Sequence, residues 1–351
     1  MGTKLKHRLP SLDGLRAISI GMVVVGHLCG TASVPVNLKP LLPYAQFGVR
    51  VFFVISGFLI TSLLLRERER TGGIDLKHFY VRRMYRIFPP AYVLILVTVA
   101  LNRNTLIWRD ILLAMTYTSN YCPQPWLLAH TWSLAVEEQF YLLWPAVIAF
   151  SFRWRTPILL LSILFTPVLN ATLYYLGHGH GVVGRYFPTV ADSLAIGCLL
   201  AIAQPLLNRY ERIVRSKVFL LVPAITLALP IIPISSHRMA IVDTLLLQTI
   251  ENVGIALSID NAVRMSWGVL NIAALRWIGV MSYSLYLWQQ MFLDRYSTRP
   301  WTRFPTNLVL ALGCASLSYF LVERPVLEFR DRKRGRKPVL TANPRPVASN
   351  A

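Results

Sequence analysis

Charged residues are scarce in this sequence, and acidic ones are scarcer than basic ones. Of 351 residues, 15% are charged, with 16 Asp and Glu against 36 Lys and Arg. A soluble domain typically carries about 25% charged residues, so the class of soluble globular proteins is excluded. Apolar runs fill the deficit, and about 20 apolar residues cross a bilayer as a helix. The sequence therefore predicts an all-α, polytopic membrane protein.

Cysteine is also rare, and its spacing carries no metal or disulfide signal. The four cysteines (Cys29, Cys122, Cys198 and Cys314) form no CxxC pair, so neither a zinc site nor a disulfide framework is indicated. The sequence shows no internal repeat and no second domain. We expect no cleavable signal peptide, because the first apolar run contains ionisable residues and is followed by further runs.

The net charge of +20 is distributed in a way that argues against nucleic-acid binding. Lys and Arg cluster in short segments between apolar runs, as the positive-inside rule expects, and no basic and aromatic reader motif accompanies them. The N-terminus and the basic loop 66–86 are predicted to be cytoplasmic. A membrane domain over 1–329 is predicted to precede a basic, disordered tail over 330–351 that contacts anionic lipid.

Ten apolar stretches are predicted to span the membrane, which places both termini in the cytoplasm. The weaker stretch 105–121 is expected to lie on the outer side. If it crossed, the basic loop 209–217 would fall outside, against the positive-inside rule. Eleven spans is the alternative, since basic residues over 295–303 remain outside in the ten-span topology. The ten stretches are 14–34, 44–65, 87–102, 131–152, 157–176, 183–204, 218–235, 239–258, 267–292 and 305–322.

The first span carries three ionisable residues inside an apolar run. Asp13, Arg16 and His27 share one face of a helix at about 100° per residue, with His27 roughly 16 Å deeper than Arg16. Such groups are costly in hydrocarbon and usually line a cavity. We therefore predict a polar path along this face; a histidine buried only for packing is the alternative.

The span 131–152 is preceded by His130 and opens the stretch HTWSLAVEEQFYLLWP. Ser133, Glu137 and Tyr141 stack on one helical face at intervals of four residues, whereas Glu138 points about 100° away. We expect Glu137 to face the cavity. Glu138 is a further pocket candidate, and a solvated position near the membrane boundary is its alternative.

Three arginines precede the third span in the stretch HFYVRRMYRIFPP. Arg83 and Arg86 share a helical face at i and i+3, and Arg82 lies beside them. Guanidinium groups bind phosphate through paired hydrogen bonds, so these arginines are candidates for a phosphate site. Ordinary anchoring at the cytoplasmic edge is the alternative.

Six stretches occur in a distinctive order along the chain. They are LDGLRAISIGMVVVGH (12–27), GVRVFFVISGFLIT (48–61), RRMYRIFP (82–89), HTWSLAVEEQFYLLWP (130–145), GVMSYSLYLWQ (279–289) and SYFLVERP (318–325). Together they resemble the motifs of the acyltransferase-3 family of integral membrane O-acyltransferases. The resemblance covers residues 11 to about 325.

The resemblance implies roles for individual residues. It implies His27 as the catalytic residue with Arg16 nearby, and Glu137 as an essential carboxylate. It also implies Arg83 and Arg86 as the pair that binds the donor.

The chain departs from the family at one position. Many family members carry a histidine after YLW, where this chain has Gln289, so we expect only a hydrogen-bonding role there. A neutral histidine such as His27 can serve as a base near pH 7. Either Asp13 or Glu137 is expected to hold its imidazole in the useful tautomer.

The resemblance implies acyl transfer, most commonly of acetyl, from acyl-CoA to a carbohydrate hydroxyl. Implied acceptors are surface polysaccharide, lipopolysaccharide, exopolysaccharide or another glycolipid, and a macrolide or other glycosylated small molecule is the alternative. The implied location is the bacterial cytoplasmic (inner) membrane. We expect no metal and no permanently bound cofactor.

Two other functional classes fit the sequence less well. A transporter would show inverted repeats with broken helices in matching positions, and we find none. A membrane scaffold would leave the buried ionisable residues as an unexplained energetic cost.

Overall fold

The computed structural model of the chain describes residues 10–102, 104–177, 184–232 and 237–333, and these residues are helical with no strand among them. Two π-helical turns, Asp243–Leu247 and Tyr319–Glu323, lengthen two of the helices. The α-helices are α1 (Pro10–Leu28), α2 (Pro43–Thr71), α3 (Leu76–Asn102), α4 (Trp108–Met115), α5 (Trp126–Ala129), α6 (Thr131–Phe150), α7 (Arg155–Tyr175), α8 (Phe187–Ile202), α9 (Gln204–Arg209), α10 (Glu211–Val214), α11 (Leu221–Ala228), α12 (His237–Val242), α13 (Gln248–Met265), α14 (Ala273–Val280), α15 (Ser282–Phe292), α16 (Thr306–Ser318) and α17 (Arg324–Arg332).

Among the described residues, six helical stretches are long and apolar enough to cross a membrane, and two more are apolar but shorter. This confirms the prediction of an all-α, multi-pass membrane protein; the count of ten spans stays a prediction. The shorter two are Phe187–Ile202 and Val218–Ile231. The six are Pro10–Leu28, Lys39–Thr71, Leu76–Asn102, Phe152–Tyr175, Met239–Met265 and Thr306–Arg332.

The predicted basic loop over 66–86 is wrong, because most of it is helical. α2 continues to Thr71, where Gly72 at φ 75° ends it and donates its N–H to the Arg68 carbonyl. α3 begins at Leu76, eleven residues before the predicted span 87–102. Arg, Lys and Glu are strong helix formers. The charged residues of this segment therefore extend the two helices beyond their apolar parts. Only residues 72–75 connect the two helices.

Three other predicted spans have different boundaries in the structure. α1 ends at Leu28, ahead of the predicted end at 34, because the chain turns at Gly30 with φ 90°. The predicted span 267–292 is not one continuous helix. It begins with a 3-10 turn, and α14 and α15 are separated at Met281. The last span continues through a π turn and α17 to Arg332.

The two segments that were predicted not to cross the membrane are the stretch 105–121 and the C-terminal tail. The stretch 105–121 contains α4, whose eight residues rise only about 12 Å, which is too short to cross a bilayer. Most of the predicted tail, over 334–351, lies outside the described residues, as do residues 1–9.

Glycines bring helix backbones into direct contact in the core. A side chain at Gly57 of α2 would lie 2.2 Å from the Leu194 carbonyl oxygen, and one at Gly197 of α8 would lie 2.2 Å from the Val54 carbonyl oxygen. Gly279 of α14 packs in the same way against the backbone of Asp13 in α1. These contacts fix α1, α2, α8 and α14 relative to one another.

Candidate active site

α1 and α15 face each other through polar side chains. Arg16, near the start of α1, lines a small cavity of about 60 Å³ together with Tyr286 of α15. Eleven residues further along α1, His27 contacts Gln289 of α15. Arg16 and His27 therefore share a face of α1, as their spacing predicts.

His27 is oriented by Gln289. The Nδ1 atom of His27 lies 2.8 Å from the Oε1 atom of Gln289, and an amide oxygen only accepts hydrogen bonds. The hydrogen bond therefore requires the proton on Nδ1, which leaves a lone pair on Nε2. The Gln289 amide is fully buried, and its Nε2 atom points to the Tyr286 carbonyl at 3.5 Å. Gln289 thus makes the contact with the His27 imidazole that was predicted for Asp13 or Glu137.

Trp126 and Arg295 enclose the imidazole of His27. The Trp126 ring meets it edge to face at a centroid distance of 5.5 Å. The Trp126 indole donates a hydrogen bond of 3.1 Å to the Gln290 carbonyl, and the Arg295 guanidinium lies 5.0 Å from the indole ring centre. These contacts hold the imidazole in place while its ring stays partly exposed.

The small cavity lies between α1, α2, α6 and α15. Glu137 of α6 is one of its lining residues and accepts a hydrogen bond of 2.7 Å from Ser56 of α2. Ser56 in turn accepts a hydrogen bond of 3.1 Å from Tyr141. Ser133, Glu137 and Tyr141 thus lie on one face of α6, as predicted. The cavity is lined by Arg16, Val49, Phe52, Phe53, Ser133, Leu134, Glu137, Ser282, Tyr283 and Tyr286.

Guanidinium and carboxylate groups surround this cavity. Glu137 interacts electrostatically with Arg16, Arg83 and Arg86, and the guanidinium of Arg83 lies 4.6 Å from the ring centre of Tyr141. Glu323 accepts a hydrogen bond from Ser284 of α15 at 2.8 Å and interacts electrostatically with Arg86 and Arg16. We call Arg16, Arg83, Arg86, Glu137 and Glu323 the charged cluster.

Among the predicted site residues, Arg16, Ser133 and Glu137 line the small cavity, and three others have different surroundings. Arg82 lies 3.6 Å from Glu67, outside the charged cluster. Glu138 faces Arg83, Tyr92 and Tyr117, so it points away from the cavity as its helical angle predicts. Asp13 lies beside Arg16 and interacts with it electrostatically.

Sequence reasoning did not single out Ser56, His130 or Glu323. Each lies within one of the six quoted stretches, but helical periodicity does not reveal partners on other helices. The imidazole of His130 is buried, and its ring centroid is 5.7 Å from that of Tyr286. The Tyr286 hydroxyl donates a hydrogen bond of 3.0 Å to the His130 carbonyl and lies 2.5 Å from Ser133 Oγ.

The arrangement separates two kinds of chemistry by depth. His27 offers a proton-accepting nitrogen near one end of α1, about 16 Å from Arg16 along the helix. The charged cluster offers guanidinium groups near the other end, where anionic groups bind favourably. Tyr286, Ser133 and His130 provide polar groups between the two ends.

Comparison with known proteins identifies the family. The family model described as an acyltransferase domain matches residues 9–322. The chain is 31% identical to the peptidoglycan O-acetyltransferase OatA of Listeria monocytogenes, over 91% of this chain and 56% of that protein. It is also 31% identical to the O-acetyltransferase OatA of Staphylococcus aureus, over 94% of this chain and 58% of that protein.

The two matches cover most of this chain but only part of each relative. The chain spans less than two thirds of the length of these relatives, and no solved structure matches it. The family match nevertheless covers most of the chain, including α1 to α16 and the residues around both cavity and histidine. The chain therefore belongs to the acyltransferase-3 family, and its multi-pass helical bundle is an acyltransferase domain.

Proposed function

We propose that this protein transfers an acetyl group from acetyl-CoA to a hydroxyl of a cell-surface polysaccharide, with a peptidoglycan-type glycan as the leading acceptor. The observation that carries the proposal is the hydrogen bond between His27 Nδ1 and Gln289 Oε1, 2.8 Å long. It leaves Nε2 of His27 able to accept a proton. The named relatives, which are O-acetyltransferases, supply the acyl group and the acceptor class.

In the proposed reaction, His27 Nε2 takes the proton from the acceptor hydroxyl. The hydroxyl oxygen attacks the thioester carbonyl carbon, and a C–O bond forms. The C–S bond then breaks, and the imidazolium returns its proton to the CoA thiolate. The Gln289 oxygen accepts a hydrogen bond from Nδ1 throughout, so Nδ1 keeps its proton and the proton that is taken up and returned is the one at Nε2.

Donor binding is assigned to the charged cluster. CoA carries several phosphates, and Arg83 and Arg86 lie near the end of α1 that carries Arg16. Carboxylates already face these guanidinium groups, so phosphate would share them with Glu137 and Glu323. Arg16 lines the small cavity through which the thioester arm would have to pass.

Acetyl transfer is tested directly with the purified protein in detergent. Incubation with labelled acetyl-CoA and a panel of neutral and charged glycans should label a polysaccharide containing free hydroxyls. The product should release acetate on mild alkaline treatment, as an ester does. Labelling that is absent with every glycan, or is unchanged in His27→Ala, would contradict the proposal.

We further propose ten spans in the bacterial inner membrane with both termini cytoplasmic, and a basic tail that contacts anionic lipid. The positive-inside rule supports this arrangement. Reporters fused after Arg215 and after Lys337 should both read cytoplasmic. An extracytoplasmic reading at either position would overturn the ten-span topology.

A further inference from the structure

A second and larger cavity lies on the other side of α2 from α1. Its volume of about 380 Å³ falls within the range of roughly 300–1,000 Å³ typical of small-molecule sites. It lies between α2, α7, α13 and the turn Leu229–Ile231. Its lining residues include Phe47, Arg50, Asn170, Asp243, Gln248 and Glu251.

The one cation among the described lining residues of this large cavity is paired with a carboxylate. Arg50 forms an ion pair and hydrogen bond with Glu251, and Gln248 donates a hydrogen bond of 2.8 Å to Asp243. Among the described lining residues, Arg50 is the only Arg or Lys. A phosphate or sulfate would therefore meet no free cation here, whereas a neutral ligand with hydroxyl groups would meet several acceptors.

Asn170 provides an independent sign of a missing hydrogen-bond donor. Its side-chain amide nitrogen donates to the Thr189 carbonyl at 2.9 Å. Its Oδ1 atom is buried and has no hydrogen-bond partner, although Asn170 is only 3% exposed. Buried polar atoms are normally paired, and Asn170 lines the cavity, so this oxygen would gain a partner if the side chain turned toward a ligand hydroxyl there.

The rest of the cavity wall suits the carbon face of a sugar ring. Phe47 and Leu247 line it, together with Pro230. The π-helical turn Asp243–Leu247 contributes Asp243 and Leu247 to the same wall, and π turns occur frequently at functional sites. A wall with apolar surface and a few placed polar groups is typical of small-molecule sites.

The large cavity lies at the same end of the α1–α2 pair as His27. Gly26 packs so closely on α2 that a side chain there would come within 2.4 Å of the Ala45 Cβ atom. Ala45 lies between Pro43 and Gln46, which line the large cavity. α2 therefore lies between the large cavity and α1, the helix that carries His27.

We propose that the large cavity binds a neutral sugar unit of the acceptor glycan, on the far side of α2 from the unit whose hydroxyl is acylated. This inference rests on the proposed polysaccharide acceptor. It assigns Asn170, Gln248 and the Arg50–Glu251 pair to recognition of sugar hydroxyls. It also predicts that a polymer is preferred to a single sugar, since a chain can occupy both positions at once.

The test uses two neighbouring leucines on the same π turn. Leu247 lines the large cavity, whereas Leu246 is 58% exposed and is not a lining residue. Leu247→Trp should fill the cavity and weaken binding of a neutral β-1,4-linked N-acetylglucosamine tetramer at least about tenfold. Leu246→Trp adds the same side chain and should bind the tetramer like the unaltered protein. Calorimetric titration of the purified full chain measures these affinities.

A second variant tests the polar wall without filling it. Gln248→Leu keeps a similar volume but removes the amide, and should weaken tetramer binding about fivefold to tenfold, the effect of one lost hydrogen bond. Thr249→Ala is the matched control, since Thr249 is adjacent and is not a lining residue. A single N-acetylglucosamine should bind more weakly than the tetramer.

The outcomes separate this inference from the proposed function. No tetramer binding by the unaltered protein, or equal binding by Leu247→Trp, would overturn the large cavity as a sugar site. Acetyl-CoA binding and acetyl-ester formation on a single sugar are measured in the same variants. If these persist in Leu247→Trp while tetramer binding is lost, the inference stands; if the unaltered protein forms no acetyl ester at all, the proposed function fails on its own.

Discussion

The two ends of the polar path along α1 differ in how their polar groups are paired. In the charged cluster, guanidinium groups face carboxylates, and Glu137 is tied to Tyr141 through Ser56. At the other end, His27 makes one side-chain hydrogen bond, to Gln289. The first arrangement gathers several guanidinium groups and suits binding of a permanently charged anion. The second keeps one nitrogen free, which is what proton transfer needs.

The strongest test of this difference removes only the free nitrogen, Nε2 of His27. His27→Gln keeps a polar side chain that can hydrogen-bond to Gln289 but cannot take up a proton near neutral pH. We expect acetyl transfer to fall at least 10²–10⁴-fold, the usual contribution of a positioned base. Acetyl-CoA binding should be unchanged, because the charged cluster is intact.

Single-turnover transfer of labelled acetyl measures the His27→Gln effect, and calorimetry measures donor binding. His27→Ala should behave in the same way. Substantial turnover by His27→Gln would mean that His27 only positions the acceptor, and the base would then have to be Asp13 or Glu137.

The charged cluster is tested by changing the shape of a cation while keeping its charge. Arg83→Lys loses the planar, two-pronged donor and its stacking on Tyr141. We expect acetyl-CoA affinity to drop by about 1–3 kcal/mol, the range for hydrogen bonds to charged groups. Arg82→Lys is the matched control, because Arg82 lies next to Glu67 outside the cluster.

Donor affinity is read by calorimetric titration of both lysine variants. The assignment of donor binding to Arg83 and Arg86 is refuted if Arg83→Ala and Arg86→Ala both bind acetyl-CoA as tightly as the unaltered protein. These arginines would then serve the packing of α3 against α6.

A smaller effect is expected from the partner of His27. Gln289→Leu removes the acceptor at Nδ1, so both tautomers become populated and the free nitrogen is no longer fixed. We expect kcat to fall about tenfold, the equivalent of one hydrogen bond, with the KM for acetyl-CoA unchanged. A drop in donor affinity instead would indicate a general loss of packing.

Gln289→His gives a readout that a purely structural role would not move. A second imidazole retains an acceptor near His27 and adds a group that titrates near neutral pH. Most of the activity should therefore remain, while the dependence of kcat on pH gains an additional step. An unaltered pH profile would show that the residue at position 289 does not communicate with the base.

The smallest expected effect lies at the start of α3, the helix that carries Arg83 and Arg86. Asp75 accepts hydrogen bonds from the backbone N–H and the imidazole of His78, and the backbone hydrogen bond in particular lowers the pKa of Asp75 below its usual 3.8. Asp75→Ala should therefore speed amide exchange in the first turn of α3 and leave acetyl-CoA affinity unchanged.

The stabilisation that Asp75 gives the first turn of α3 depends on pH in a defined direction. Because the pKa of Asp75 is lowered on folding, its stabilisation is present above about pH 3.8 and is lost as the pH falls through the folded-state pKa. The difference in amide exchange between Asp75→Ala and the unaltered protein should therefore shrink at acid pH. A difference that is constant across this range would show that the charge contributes nothing.

Much of the fold and part of the site could be predicted from sequence, for identifiable reasons. Apolar run length predicted membrane helices, and four-residue spacing placed Ser133, Glu137 and Tyr141 on one face of α6. Helix ends were predicted less well, since charged residues such as those at 66–71 continue the helix after the apolar run stops.

Partners on distant parts of the chain were not predictable from periodicity. Gln289 is 262 residues from His27, and Glu251 is 201 residues from Arg50. Which helix faces which is decided by packing, including the glycine contacts of α2 with α8 and of α1 with α14. The sequence motif marked Gln289 as unusual, but only the fold brings it to His27.

The backbone contact of α2 with α8 has a mechanical consequence for substrate entry. The small cavity, at about 60 Å³, holds little more than a few water molecules and has to widen before a thioester arm can enter. On one side, the backbones of α2 and α8 are in direct contact at Gly57 and Gly197. This contact prevents α2 from moving away from the cavity. On the opposite side, Met281 interrupts the helix just before Ser282, Tyr283 and Tyr286. We therefore expect α15 to be the wall that moves, and its movement would also shift Gln289 on the same helix.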